Sequence, residues 1–416
     1  MIRKARLLPL LLLPLCLCLT GCGNEEKDAV KSVITKDLDK LKNLDSDTAR
    51  EYISAENLFP DSADIDSGLD SVEDFISNYF QNFDYKILDI KTDKDSATAS
   101  LRLNTLDAQS LARDYTGAQL QSQILDVVSS TQKASNATLE DHYQLLCQLM
   151  KENDYETVEN SCTIHLQKMH DTWVIQKTAA LENDIIGNFI TYVSNSNLLT
   201  PEETLNIYLS TIRSMSEDQL LCYLNLKQYQ NSSDPVISEF TSVIIDQVIS
   251  DFTYDIKETI QEGYNATVHV DVTTFDIDAV IKDYTTRYQE YLKKPESLYA
   301  GTNGRLEEAL KLMKECLEQS DATTTLSVPI QMINDGNSWT IQNPEQIGNS
   351  IFGSLTANLS SRLPYQNFSQ SPAADSRSSA NYDSSYDSDY DSDCNSDYDS
   401  SYDSDYDSSY DSDYNW

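Results

Sequence analysis

The feature that most constrains the fold is an internal duplication. Four short motifs recur 169 positions further along: Phe83-Asp84-Tyr85 as Phe252-Thr253-Tyr254, Ala97-Thr98 as Ala266-Thr267, Thr105-Leu106-Asp107 as Thr274-Phe275-Asp276, and Asp114-Tyr115 as Asp283-Tyr284. Trp173-Val174-Ile175-Gln176 and Trp339-Thr340-Ile341-Gln342 continue the match at a slightly smaller offset. A constant offset over such a stretch indicates two copies of one domain.

Within the first copy, the residue pattern predicts helices around a few strands. Apolar residues at helical spacing predict a helix over Asp28–Leu44, and alternating residues predict strands over Tyr85–Ile90 and Ser96–Asn104. Asp107 is suited to cap a helix that ends near Val128. The remaining predicted elements are Leu139–Lys151, Thr157–Lys168, Thr172–Gln176 and a short helix from about Leu181 to Val193.

The second copy repeats this order. Thr200 followed by Pro201 is a strong helix start, with threonine at the N-cap and proline at the first helical position. Strands are expected at about 252–260, 265–273, 323–333 and 338–342. Helices are expected at about 202–212, 217–226, 235–250, 277–292, 304–318 and 345–360.

Strands joined by hairpins, with helices grouped around them, favour the α+β class. Few strands must cover a long helix, so we expect a curved antiparallel sheet that wraps helices in each copy. This order of elements resembles the tandem cystatin-like or NTF2-like domains of surface lipoproteins in Gram-positive gut anaerobes, over residues 24–360. That family is largely uncharacterised, so the resemblance implies a fold and no catalytic residue.

The start of the chain predicts export and a lipid anchor. Arg3, Lys4 and Arg6 precede an apolar run from Leu7 to Leu19, which is too short to span a bilayer and reads as a signal peptide. Leu19-Thr20-Gly21-Cys22 closes that run and resembles the lipobox of bacterial lipoproteins. The resemblance implies cleavage before Cys22 and a diacylglyceryl group on its thiol, with acyl chains such as palmitate. A secretory signal that happens to contain a cysteine is the alternative.

These signals divide the chain into six segments. We expect a lipoprotein signal peptide at 1–21, a lipidated tether at 22–27, a first α+β domain at 28–195, a second at 197–360, a Ser/Pro-rich linker at 361–380 and a disordered acidic tail at 381–416.

The composition limits the classes of partner. The net charge is −38, which argues against nucleic acid because phosphates are met by clustered lysine and arginine. A basic patch lying on anionic lipid is disfavoured for the same reason. The expected partners are the membrane, through the diacylglyceryl anchor, and a protein or wall component of the cell envelope, with the body on the extracytoplasmic side.

The spacing of the cysteines does not indicate a disulfide framework or a metal site. Cys147, Cys162, Cys222 and Cys316 lie in foldable sequence at unrelated spacings, without a CxxC or Cys/His ligand set. An exported setting permits a bridge between Cys147 and Cys162 or between Cys222 and Cys316. Buried free thiols are the preferred expectation.

No catalytic motif is found, and we expect a protein that is not an enzyme and needs no cofactor. The four histidines (His142, His165, His170 and His269) lack a ligand partner at helical spacing and are predicted to lie at the surface. Asp107 and Asp276 sit where N-caps belong, so the structural role is favoured over catalysis. The duplicated aromatic residues are predicted to be core residues: Tyr115, Tyr284, Trp173 and Trp339.

Two acidic segments contain the carboxylate oxygens that a hard cation prefers. The loop containing Asp61, Asp64, Asp66 and Asp70 lacks the EF-hand register and is predicted to be a solvated loop. From Tyr382 the chain repeats Tyr-Asp-Ser-(Ser or Asp), a composition typical of disorder. Its Asp387, Asp389, Asp391 and Asp393 are weak Ca²⁺ candidates, because the glycine and glutamate of a calcium loop are missing. An inert repeat, an acidic-aromatic arm for basic or wall partners, and a cation-binding segment remain open for the tail.

Three functional classes follow from these observations. The favoured one is a membrane-anchored, non-enzymatic binding module of the cell envelope. The second is the solute-binding component of an importer, which usually has two α/β lobes with parallel sheets. The third is an enzyme with an NTF2-like pocket, which would show convergent polar groups with shifted pKa values.

Overall fold

A computed structural model describes residues 22–60, 70–128 and 137–353 of the chain. The predicted signal peptide, linker and tail lie outside these ranges, as do Asp61, Asp64, Asp66 and the candidate tail aspartates Asp387, Asp389, Asp391 and Asp393. The described residues form helices and two four-stranded antiparallel sheets. The α+β class is therefore confirmed.

The first copy contains eight helices and four strands within its described residues. In chain order they are α1 Cys22–Lys42, α2 Ser46–Arg50, α3 Ala55–Leu58, α4 Asp70–Tyr79, β1 Asp84–Asp93, β2 Ser96–Leu106, α5 Ala108–Val128, α6 Leu139–Glu152, β3 Thr157–Met169, β4 Thr172–Ile175, α7 Ala179–Ile185 and α8 Phe189–Val193.

The second copy follows the same plan. Its elements are α9 Pro201–Arg213, α10 Glu217–Tyr223, α11 Lys227–Gln230, α12 Pro235–Asp251, β5 Thr253–Glu262, β6 Asn265–Phe275, α13 Ile277–Leu292, α14 Pro295–Tyr299, α15 Gly301–Glu318, β7 Thr323–Asn334, β8 Trp339–Ile341 and α16 Pro344–Ile351.

The two sheets share their strand order and a local irregularity. The orders are β1-β2-β3-β4 and β5-β6-β7-β8, and every neighbouring pair is antiparallel. Register shifts fall between Ile87 and Asp89 in the first sheet and between Ile256 and Glu258 in the second. These positions are 169 apart, so the structure repeats at the same offset as the sequence motifs.

Side chains fix the helix starts that the sequence predicts. Asp107 accepts hydrogen bonds from the backbone N–H groups of Gln109 and Ser110, and Asp276 accepts one from that of Ala279. Thr200 and Glu203 form a capping box with Pro201 at the first turn of α9. Such bonds satisfy backbone donors that a helix leaves unpaired at its start.

Helix α5 takes part in both hydrophobic cores. Its first half buries Leu111 and Tyr115 in the first core, whereas Ile124 and Val128 near its end are buried among residues of the second copy. Arg113 of α5 also forms an ion pair with Glu203, and its Nη1 donates to the backbone oxygen of Leu198 at 2.6 Å. The two copies are therefore packed together through this helix.

Helix α1 begins earlier than the sequence pattern predicts. The apolar stripe starts with Val30, but the helix starts at Cys22, so residues 22–27 are helical where a tether is predicted. Acidic residues in a first turn are favourable with the helix dipole, and Glu25 lies there. The contacts of Glu26, described next, hold the start of the helix against the sheet.

Candidate functional site

The start of α1 is held by one tryptophan and one lysine from the β3–β4 hairpin. Glu26 Oε1 accepts a hydrogen bond from Lys168 Nζ at 2.8 Å, and Glu26 Oε2 accepts one from Trp173 Nε1 at 2.9 Å. Lys168 and Trp173 are direct partners across the two strands, and the lysine Nζ lies 5.6 Å from the tryptophan ring centroid. We name Glu26, Lys168 and Trp173 the first clamp.

In the first clamp, Glu26 and Lys168 each stabilise the ionised form of the other. The hydrogen bond from Lys168, followed by that from Trp173, lowers the pKa of Glu26. The same ion pair raises the pKa of Lys168. Both groups therefore stay ionised over a wider pH range than usual, so the ion pair persists at pH values on either side of neutrality.

The second copy carries an uncharged version of the same arrangement. Trp339 Nε1 donates to Asn197 Oδ1 at 3.2 Å, and Asn334 Nδ2 donates to the same oxygen at 3.2 Å and to the Ser196 backbone oxygen at 2.9 Å. Lys168 and Trp173 lie 166 positions before Asn334 and Trp339, and Glu26 lies 171 positions before Asn197. We name Asn197, Asn334 and Trp339 the second clamp.

The two clamps hold different pieces of chain. The second clamp fixes the connection that enters the second copy, just before α9. The first clamp fixes the segment that begins at Cys22, the predicted lipid acceptor. In each copy the duplicated tryptophan thus sets the position at which the chain enters the fold.

We expect Glu26→Ala to loosen the start of α1. The substitution removes the acceptor for both Lys168 and Trp173, so the amides of residues 26–30, the first that bond within the helix, should exchange hydrogen faster by mass spectrometry. Because the pKa of Glu26 is lowered in the folded protein, its contribution is present above the ordinary value of 4.5 and is lost as pH falls through the folded value.

Asn197→Ala is the matched variant for this prediction. It removes the acceptor in the second clamp, but it should leave exchange at residues 26–30 unchanged. Equal protection of these amides in the wild type and in Glu26→Ala would show that the first clamp does not hold the helix start.

The four duplicated aromatic residues are all buried, but they have different surroundings. Trp173 and Trp339 belong to the clamps. The hydroxyl of Tyr115 lies 2.6 Å from His142 Nδ1, whereas the ring of Tyr284 stacks on that of Tyr288 with centroids 5.7 Å apart. Burial raises the pKa of both tyrosines, which keeps their hydroxyls protonated.

The structure corrects the prediction that His142 lies at the surface. This side chain is half-buried, and its ring stacks on Phe59 with centroids 4.6 Å apart. Gln119 Nε2 donates to the Tyr115 hydroxyl at 2.8 Å, which leaves that hydroxyl to donate to His142 Nδ1. Periodicity does not show this contact, because Phe59, α5 and α6 are distant in sequence and meet only in the folded protein. His165 and His170 are exposed as predicted, whereas His269 is half-buried like His142.

The environment of His142 predicts a loss of stability on mild acidification. Desolvation lowers its pKa in the folded protein, so the unfolded chain binds a proton that the folded protein resists. The free energy of unfolding should therefore fall as pH drops below about 6.5 and level off below the folded pKa. Urea unfolding at several pH values checks this, and His142→Asn should flatten that part of the profile, whereas His165→Asn should not.

Other duplicated polar residues form no common site. Tyr155 donates to Asp114 at 2.7 Å in the first copy, whereas Asp283 pairs with Arg287 at 2.7 Å in the second. Tyr52 donates to Asp37 at 3.1 Å in the first copy. The positions equivalent to Asp37 and Tyr52 hold Tyr208 and Tyr223, whose hydroxyls are 3.4 Å apart.

The described residues contain no cluster of three or more metal-ligand side chains and no disulfide among their cysteines. Cys147, Cys162 and Cys316 are buried, and burial raises the pKa values of their thiols to about 11, about 12 and about 11. A shallow groove of about 280 Å³ between α4 and α6 is lined by Ser71, Asp74 and Cys147 among others. A buried, protonated thiol there is a poor nucleophile.

Comparison with known proteins provides no family. No protein-family model matches the chain, and no curated protein matches it significantly. Among solved structures, the chain is similar to YcdA of Bacillus subtilis, a candidate lipoprotein, with 13% identity over 65% of this chain and 95% of that chain and a TM-score of 0.23. A TM-score this low does not establish a common fold. In the part of the chain that the structure describes, no helix combines the length and apolarity needed to cross a bilayer.

Proposed function

We propose that this protein is a lipid-anchored, extracytoplasmic, non-enzymatic binding module of the cell envelope. The observation that carries the proposal is Cys22. It ends a basic and apolar export signal in a lipobox-like sequence, and it also begins a helix that the first clamp attaches to the folded body. An acylated Cys22 would thus join the membrane directly to the first copy. Two acyl chains anchor a protein stably where one does not.

Three observations support binding over catalysis. The equivalent polar residues make different contacts in the two copies, the buried tyrosine and cysteine groups have raised pKa values, and the groove between α4 and α6 is shallow. An enzyme of this architecture would need convergent polar groups in a deep pocket. We further propose that each copy is a cystatin-like or NTF2-like domain.

The solute-binding class is less well supported. Such proteins usually have two lobes built on parallel sheets, whereas both sheets of the described residues are entirely antiparallel. The two copies also pack through α5 instead of facing each other across a hinge. A bound small solute protected between the copies would restore this alternative.

Metabolic labelling with an alkyne analogue of palmitate tests the anchor. In a bacterial host that processes lipoproteins, the wild-type chain should take up the label and Cys22→Ala should take up none. Cys222→Ala removes a cysteine of the folded body and serves as the matched control, with labelling expected at the wild-type level. Label on Cys22→Ala, or none on the wild type, would contradict the proposal.

A further inference from the structure

The first clamp leaves almost no free chain between the predicted lipid and the folded body. Cys22 to Glu26 is about one helical turn, which places their backbones roughly 6 Å apart. Glu26 is bonded to both Lys168 and Trp173 of the sheet. Six residues in extended form would reach about 20 Å instead. A lipid on Cys22 therefore fixes which end of the first copy lies at the bilayer.

Two hairpin turns surround the start of α1 at that end. The β3–β4 turn consists of His170 and Asp171, both with positive φ, as in a two-residue type I′ turn. The β1–β2 turn lies beside it, because the backbone N–H of Lys168 donates to the backbone oxygen of Asp95 at 2.8 Å. We name the start of α1 together with these two turns the anchor end.

The charge of the anchor end differs from that of the whole chain. It holds five lysines and six carboxylates, namely Lys27, Lys31, Lys91, Lys94 and Lys168 with Glu25, Glu26, Asp28, Asp93, Asp95 and Asp171. The chain as a whole has a net charge of −38. Repulsion from anionic headgroups acts over about a Debye length, roughly 8 Å at physiological salt. Because its positive and negative charges nearly cancel, the anchor end can approach an anionic membrane that repels the rest of the surface.

An apolar side chain is also exposed there. Met169, which precedes the β3–β4 turn, is 56% exposed. Methionine has a flexible apolar side chain that adapts to irregular surroundings. Moving this side chain from water to the boundary between headgroups and acyl chains would bury apolar surface, which is favourable.

We propose that the anchor end is a membrane-contact surface that lies against the lipid headgroups, so that the body stands on the bilayer in one orientation. This inference rests on acylation of Cys22, which the proposed function includes. The occupant of the surface is the bilayer that carries the anchor. The second copy packs on α5, so its orientation relative to the bilayer is set by the first copy and not by a flexible tether.

The chain's own tryptophans allow a direct test. Trp173 lies two residues after the β3–β4 turn and contacts the start of α1 through Glu26, and Trp339 holds the equivalent place in the second copy. The acylated full chain is reconstituted in phosphatidylglycerol–phosphatidylethanolamine vesicles that contain a headgroup-nitroxide lipid, a short-range quencher. Trp416→Phe leaves Trp173 and Trp339 as emitters, and Trp339→Phe with Trp416→Phe leaves Trp173 alone. The difference between these two variants gives the signal of Trp339 while the first clamp stays intact. The unfolding midpoint of each variant is measured to establish that it is folded.

The expected result is strong quenching of Trp173 and little quenching of Trp339. Inserting about ten Gly and Ser residues between Gly23 and Asn24 adds a flexible segment of roughly 18 Å and should remove most of the quenching of Trp173. Equal quenching of both tryptophans, or quenching of Trp173 that survives the insertion, would overturn the inference while the anchor stands. An unacylated Cys22, found by palmitate labelling of the same sample, would overturn both.

Discussion

Ile124→Asp is expected to destabilise the second copy although residue 124 belongs to the first. Ile124 is 8% exposed and lies among side chains of the second core. A buried carboxylate without a partner is among the few changes that cost more than about 4 kcal/mol. Urea unfolding monitored through Trp339 should therefore show a midpoint far below that of the wild type.

Val127→Asp is the matched control for this prediction. It lies in the same helix and adds the same charge, but Val127 is 70% exposed. Its effect on the free energy of unfolding should stay within about 0.5 kcal/mol. Equal midpoints for Ile124→Asp and Val127→Asp would show that α5 is not shared between the cores.

The contact that α5 makes with the second copy has no counterpart at the equivalent positions of the second copy. The positions that correspond to Leu120, Ile124 and Leu125 hold Gln289 in α13 and Lys293 and Lys294 just beyond it, and all three are exposed. The apolar end of α5 is therefore specific to the first copy.

Gly187→Ala is expected to cost about 2–5 kcal/mol of unfolding free energy, the sum of a backbone and a packing effect. The φ of Gly187 is +60°, which side chains rarely adopt, and an added Cβ would lie 2.7 Å from Thr105 Oγ1 and 3.3 Å from Ala108 Cβ. The threonine cannot yield freely, because its hydroxyl accepts a hydrogen bond from Asn160 Nδ2 at 2.7 Å. Thermal or urea unfolding measures the loss.

Gly263→Ala separates the two contributions. Its φ is +62°, but no atom lies within 4 Å of an added Cβ. It should lose only the backbone part, about 1–2 kcal/mol. Similar losses in both variants would show that the close approach to Thr105 adds nothing.

Gly187 has an equivalent in the second copy that lies outside the matching motifs. Gly353 lies 166 positions later with a φ of +57°, and an added Cβ there would meet Thr274, the counterpart of Thr105. Both glycines follow the end of a helix and lie beside the equivalent strand of their own sheet, β2 for Gly187 and β6 for Gly353. The signal was present in the sequence as a repeated glycine at the offset of the tryptophan pair.

Local periodicity predicted most strands and helix starts because those depend on residues close in sequence. The alternating Ala97, Ala99, Leu101 and Leu103 point to the core as expected. Leu88 departs from alternation: the bulge between Ile87 and Asp89 leaves it 53% exposed. A bulge inserts one residue into a strand without changing its composition, so periodicity does not reveal it.

The candidate site was only partly predictable. Cys22 and the tryptophan pair stood out as motifs, but the role of Glu26 did not, since its partner Trp173 lies 147 residues away. Likewise, Ile124 and Val128 fitted an ordinary amphipathic helix, and nothing local showed that they would enter the other copy's core. Contacts of this range depend on how the elements pack, which one sequence does not specify.

The measurement that most directly tests the central claim is the mass of the N-terminal peptide of the mature protein. Lys27 is the first basic residue after Cys22, so trypsin should release the peptide Cys22–Lys27. The account predicts that this peptide begins at Cys22 and carries a diacylglyceryl thioether. A peptide that begins elsewhere, or one with an unmodified Cys22 thiol, would contradict it.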